Sequence, residues 1–139
     1  MPYAKDCLRG IPSEKQINND GTVEFDVFLF DDKHVKPDGN CVQSINWNDN
    51  EGAILLTLTQ IKEDGSIQFK GGYAVIATVD LDWIANSPSL NQAFNYERDR
   101  LPDNPYHGNL LLDPNTSQHI RKYIANALAL RAIVKPRNT

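Results

Sequence analysis

The sequence is organised around a polar loop that leads into an apolar run: DNPYHGN at residues 103–109, followed by LLL at residues 110–112. Pro105 fixes its own φ angle and disfavours the helical region in the residue before it. Gly108 can take a positive φ at little cost. The loop is therefore predicted to bend sharply, and the apolar run is predicted to form a short buried strand. His107 lies inside the bend.

His107 has a structural and a functional interpretation. In the structural one the ring only hydrogen-bonds its own loop, because turn chemistry accounts for all of its neighbours. In the functional one His107 is a general acid–base, since histidine titrates near neutral pH. Arg9 and Asp103 are then further catalytic candidates, because an arginine can bind a phosphate or a carboxylate. The candidate binding residues of the loop are Asn104, Tyr106 and Asn109.

Several short motifs accompany the Asn-Pro-x-His core. In chain order they are LRGIP at 8–12, Phe28, SINW at 44–47 and ALA at 127–129. In this order they resemble a family of small uncharacterised bacterial proteins that carry an Asn-Pro-x-His-Ala motif before a C-terminal helix. The resemblance runs from Leu8 to Val134, with Gly108 where the family tends to have alanine. It implies an intracellular bacterial protein and supplies no catalytic residues.

The charge balance argues against general binding to nucleic acids or anionic membranes. The 139 residues fit one domain, and the formal net charge is −4 with a pI of about 5.2. Duplex DNA is therefore an improbable partner. Residues 114–139 nevertheless carry five cations and no acid, which leaves nine cations against eighteen acids in residues 1–113. This basic end either complements its own helix dipole and the acidic body or contacts an acidic partner.

The cysteines and histidines indicate no metal or cofactor site. Cys7 and Cys41 occur without a secretory segment or a membrane-spanning apolar run, which predicts a cytoplasmic protein with free thiols and no membrane contact. His34 and His119 are expected at the surface. The histidines and cysteines are too scattered for a typical metal site, so we expect neither a metal nor a cofactor.

The hydrophobic pattern predicts a single α+β domain over residues 1–139. We expect a mostly antiparallel sheet of four to five strands, covered by a C-terminal helix and a second helix, after an irregular arm at residues 1–21. No internal repeat is evident. The predicted strands are 22–30, 41–47, 73–79 and 110–112, with a possible strand at 94–96.

Two helices are predicted to cover this sheet. Residues 51–62 show apolar residues at helical spacing, although Thr57 and Thr59 favour a strand. Residues 114–134 form the stronger helix and are expected to be nearly buried from Tyr123 onward. Its apolar stripe includes Ile120, Ile124, Ala127 and Leu128.

Two hypotheses on function follow. The first is a small accessory or interaction protein of a bacterial system, whose partner is an unknown protein or a second copy of the chain. The second is a small enzyme that acts on a nucleotide or nucleic-acid phosphate, with His107 as the acid–base. If the protein is an enzyme, we expect a cleft where His107, Arg9 and an acidic or amide side chain converge. An interaction protein predicts a flat apolar patch.

Overall fold

The computed structural model describes residues 3–137, and a strand near the start of the chain lies inside its sheet. This strand, β1 (Asp6–Ile11), pairs on both sides with antiparallel neighbours. The expectation of an irregular arm is therefore wrong for this segment; residues 1 and 2 of that arm lie outside the described residues. Gly10 is accommodated in the strand because the Phe69 ring covers it, at 2.3 Å from where a Cβ would be.

The sheet has six strands, not the four to five that were expected. All of its pairings are antiparallel, and the spatial order is β4-β5-β2-β1-β3-β6. With the three helices described below it forms a single α+β domain. After β1, the strands are β2 (Cys41–Trp47), β3 (Gly72–Ala77), β4 (Phe94–Arg98), β5 (His107–Leu112) and β6 (Ile133–Lys135).

The alternating apolar segment at residues 22–30 is not a strand. Phe25–Phe28 form a 3₁₀ turn, and Val23 makes only an isolated bridge with Ile17. The prediction failed because Val27 and its neighbour Phe28 are both buried, whereas consecutive residues of a strand point to opposite faces. The turn packs against the C-terminal helix and sends both side chains into one core.

Helices cover the two faces of the sheet unequally. The first, α1 (Glu51–Thr59), packs on β1, β2 and β3, while α2 (Thr78–Ala85) and α3 (Gln118–Arg131) lie over the apolar core on the other face. The prediction of a helix for α1 is confirmed, although it ends at Thr59. Its threonines fit a helix because their hydroxyls donate to the carbonyls four residues earlier, at 2.8 Å in both cases.

Helix α3 is buried on one side only. Ile124 and Leu128 are fully buried, Ala127 is buried and Ile120 is half-buried, as the stripe predicts. Tyr123 and Leu130 are exposed, so the expectation of a nearly buried helix is wrong. The helix ends at Arg131, and the chain then forms β6 where the sequence predicted the last helical turn.

Three short hairpins share one sequence pattern that the sequence analysis missed. They are INNDGTV at 17–23, VKPDGNC at 35–41 and IKEDGSI at 61–67. In each, the Asp carboxylate accepts from the N–H two residues on, and the glycine has a positive φ of 86, 95 or 86°. The first and last residues of each hairpin form an antiparallel bridge. A left-handed glycine at this position is typical of short hairpin loops.

Leu128→Ala should lower the free energy of unfolding by about 2–4 kcal/mol, because it leaves a cavity in a packed core. Leu130→Ala is the matched control on the same helix: Leu128 is 0 % exposed and Leu130 is 78 % exposed. Urea denaturation of both variants gives the comparison. Equal losses of stability would contradict the placement of α3.

Candidate functional site

A cleft of about 320 Å³ opens on the face of the sheet that carries α1. One wall is α1 with the residues that flank the third Asp-Gly hairpin, Gln60, Gln68 and Phe69, and the other is the loop before β5. Leu8 and Ser44 contribute to the sheet side of the cleft, and His107 lies at the edge of the loop. The cleft therefore forms where three separate parts of the chain meet.

His107 is held at both ring nitrogens. Its Nδ1 lies 2.8 Å from the main-chain oxygen of Asp99, and its Nε2 lies 3.3 Å from the hydroxyl oxygen of Ser44. A carbonyl oxygen can only accept, so Nδ1 carries the hydrogen. In the neutral ring Nε2 is then an acceptor for the Ser44 hydroxyl. The Asp99 carboxylate also lies near this nitrogen, with Oδ2 at 3.7 Å from Nδ1.

Neither Ser44 nor Asp99 was predicted as a site residue, because only the register of the paired strands brings them to His107. The pairing of Arg98 with Gly108 continues into a hydrogen bond of 2.9 Å from the Asp99 N–H to the His107 carbonyl. Ser44 is exposed on β2, which pairs with β5. The strand predicted at 94–96 ends before Arg98, the last residue of β4, so the contact of the next residue, Asp99, with His107 could not be anticipated.

Asn104 belongs to a buried chain of hydrogen bonds beneath the cleft. Its Oδ1 accepts from the Tyr106 N–H at 3.0 Å, and its Nδ2 donates to Oδ1 of Asn46 at 2.8 Å. Asn46 donates to the Thr57 hydroxyl at 2.8 Å, which donates to the Ala53 carbonyl at 2.8 Å. Both ends of the Asn104 amide have partners within the protein, so this side chain joins the loop to β2 and, through Asn46, to α1.

Tyr106 fastens the start of α1. Its hydroxyl donates to Oδ1 of Asn50 at 2.9 Å, and the same oxygen caps the helix by accepting from the Gly52 N–H at 2.9 Å. The tyrosine oxygen lies 2.3 Å from the position of a Cβ on Gly52, so a side chain there would displace it. Tyr106 is thus placed outside the cleft lining.

Asn109 lies on the same face as His107 but contacts acidic side chains instead of the cleft. Its Nδ2 donates to Glu97 at 2.8 Å and to Asp99 at 3.2 Å. Glu97 also accepts from Lys36 at 2.7 Å, and this hydrogen bond raises the pKa of the lysine. The Asn109 amide therefore bridges the carboxylates of Glu97 and Asp99.

Of the two further catalytic candidates, only one lines the same cleft as His107. Asp103 is exposed at the cleft, whereas Arg9 is absent from its lining. The Arg9 side chain donates to the carbonyls of Val27 at 3.1 Å and Ser44 at 2.8 Å. Burial lowers the pKa of Arg9 to about 10, which leaves it charged at neutral pH. None of the described residues that line the cleft is a lysine or arginine.

The space around Gly108 is too small for an alanine side chain. The Trp47 indole lies against it and donates its N–H to the Glu97 carbonyl at 3.2 Å. A Cβ on Gly108 would lie 2.3 Å from Nε1 of Trp47 and 2.5 Å from the Glu97 oxygen. These positions leave no room for a methyl group unless the indole shifts.

No protein-family model, curated protein or solved structure matches this chain. The resemblance to the bacterial family therefore stays a prediction. Within residues 3–137 no helix is long and apolar enough to cross a membrane. No group of three histidine, cysteine or acidic side chains is placed to hold a metal ion in that part of the chain. The site must be interpreted from its own geometry.

Asn104→Ala should lower the free energy of unfolding by about 1–3 kcal/mol, because it leaves buried partners without hydrogen bonds. Asn115→Ala removes an exposed amide whose side chain makes no hydrogen bond within residues 3–137 and serves as the control. Thermal melts of both variants give the comparison. A loss no larger in Asn104→Ala than in the control would show that the buried chain does not stabilise the loop.

Proposed function

We propose that this protein is a small enzyme in which His107 accepts and returns a proton in the cleft beside α1. One observation carries the proposal: a histidine nitrogen lies 3.3 Å from the Ser44 hydroxyl at the cleft, while the other nitrogen is fixed at 2.8 Å by Asp99. This is the arrangement of a base and of the group that orients it. Turn chemistry does not require the contact with Ser44.

The surroundings of His107 support a catalytic use of the ring. Its side chain is 13 % exposed, so it is shielded from bulk water but still reaches the cleft. The Asp99 carboxylate at 3.7 Å from Nδ1 stabilises the positive charge that develops when Nε2 takes a proton. The ring does not have to reorient between the two states, because Nδ1 keeps its hydrogen in both.

The lining of the cleft favours an uncharged substrate. The expectation of a phosphate depended on Arg9, which does not line the cleft and donates to the main-chain carbonyls of Val27 and Ser44. Asp103 supplies the only permanent charge among the described lining residues, and it would repel a phosphate. Phe69 and Leu101 add apolar surface beside the side-chain amides of Gln60 and Gln68. We therefore propose hydrolysis of a neutral ester or amide.

A second candidate function is that of an accessory or interaction protein. The third Asp-Gly hairpin leaves both of its bridge residues exposed, Ile61 at 63 % and Ile67 at 42 %, whereas Val23 of the first hairpin is 4 % exposed. Leu55 on the adjoining α1 is 65 % exposed. A protein partner that covers these side chains would account for their exposure. In that case the cleft catalyses no reaction.

His107→Asn tests the two candidates against each other. The asparagine amide can still donate to the Asp99 carbonyl, but the proton-accepting Nε2 is lost. On a panel of chromogenic esters, amides and phosphoesters, we expect the wild type to turn over a neutral ester or amide. The variant should be slower by at least about 100-fold, the usual contribution of a general base.

The control for this experiment is His119→Asn, which changes an exposed histidine at the start of α3. It should keep the wild-type rate and melting temperature. Turnover that survives His107→Asn would contradict the proposed enzyme. A wild type that turns over nothing on the panel would favour the interaction protein.

A further inference from the structure

We propose that Ser44 is a nucleophile that His107 activates, so that the reaction passes through a covalent acyl-enzyme. This inference rests on the proposed function and adds the group that attacks the substrate. Ser44 is exposed at the cleft, and the His107 ring is the one partner of its hydroxyl within residues 3–137. Asp99 on the far side of the ring completes the order of nucleophile, base and orienting group.

The main chain of Ser44 is held on both sides of its strand, β2. Its strand pairs with β5 through the register of Ser44 with Asn109. Arg9 donates to the Ser44 carbonyl at 2.8 Å while its Nε bonds the Val27 carbonyl at 3.1 Å. Arg9 thus holds the main chain of Ser44, although it does not line the cleft. A nucleophile on a rigid strand keeps its distance to the base.

The proposed step is an ordinary acyl transfer. The Ser44 Oγ forms a bond to the carbonyl carbon of the substrate, and its proton passes to Nε2 of His107. The tetrahedral intermediate then expels the alcohol or amine, which takes the proton from His107. Water repeats the sequence on the acyl-serine: its proton goes to His107, the acid forms, and the proton returns to the Ser44 oxygen. No oxidant, reductant or cofactor is needed.

Two side-chain amides are available as hydrogen-bond donors in the same cleft. Gln60 and Gln68 both line it, and a hydrogen bond of 3.0 Å from the Gln68 N–H to the Gln60 carbonyl holds them side by side. Neither side chain has a hydrogen-bond partner among residues 3–137. Side-chain amides serve as oxyanion donors in acyl transfer.

The test is covalent labelling with an alkyl fluorophosphonate, followed by intact mass and peptide mapping. The Ser44 oxygen would bond to phosphorus, fluoride would leave, and the proton would pass to His107. We expect one adduct on Ser44 in the wild type and none on that peptide in Ser44→Ala. The labelling rate should fall at least about 100-fold in His107→Asn. Ser89→Ala, at an exposed serine away from the cleft, should label as the wild type does.

An adduct on another residue, no adduct at all, or equal labelling rates in the wild type and His107→Asn would overturn the inference. Melting temperatures of the variants show whether a lost rate reflects lost folding. Failure here is distinct from failure of the proposed function. Turnover that needs His107 but survives Ser44→Ala would leave the acid–base enzyme in place and remove the nucleophile.

Discussion

The hydrogen-bond chain from Asn104 through Asn46 to Thr57 is the constraint on which the cleft depends. It joins the loop before β5 to Asn46 in the middle of the sheet, 58 residues earlier in the chain, and to the neighbouring helix α1. Asn104, Asn46 and Thr57 are all buried, at 6, 7 and 1 % exposure. Buried amides are destabilising unless they are paired, so these hydrogen bonds favour the observed arrangement of the three segments. The walls of the cleft are set by that arrangement.

The two faces of the sheet differ: one packs the apolar core and the other carries the candidate site. One face holds the apolar core under α2 and α3, and it fixes the strands on which the site is built. The other face carries a continuous row of polar contacts from Lys36 through Glu97 to Asn109. His107 ends that row at the cleft. Because its contacts come from paired strands and their direct extensions, its geometry is set by strand register and not by a mobile loop.

The parts of the fold that follow from local patterns were predictable. The capped apolar pattern of α1, the stripe of α3 and the run at residues 110–112 each indicate their element without knowledge of the rest. The strand β1 was missed because Arg9 and Gly10 look unsuited to it. They fit only because the arginine reaches the carbonyls of Val27 and Ser44, and the Phe69 ring covers the glycine. Such contacts are not visible in a sequence.

The candidate site was predictable to a similar extent. His107 stands out because it lies between a proline and a glycine in a polar loop. Asn104, a predicted binding residue, lies in the buried hydrogen-bonded framework. Ser44 and Asp99 could be found only from the pairing of β5 with β2 and β4. Arg9 was assigned to the cleft from residue chemistry alone, and strand alternation turns it to the other face.

The protonation of the His107 ring tests the account most directly. A two-bond ¹⁵N–¹H correlation spectrum, with the His107 signals assigned from their absence in His107→Asn, identifies which nitrogen carries the hydrogen in the neutral ring. The account predicts the Nδ1–H form, because Nδ1 donates to the Asp99 carbonyl and Nε2 remains free to accept from Ser44. A neutral ring with its hydrogen on Nε2, or one that averages between the two forms, would contradict it.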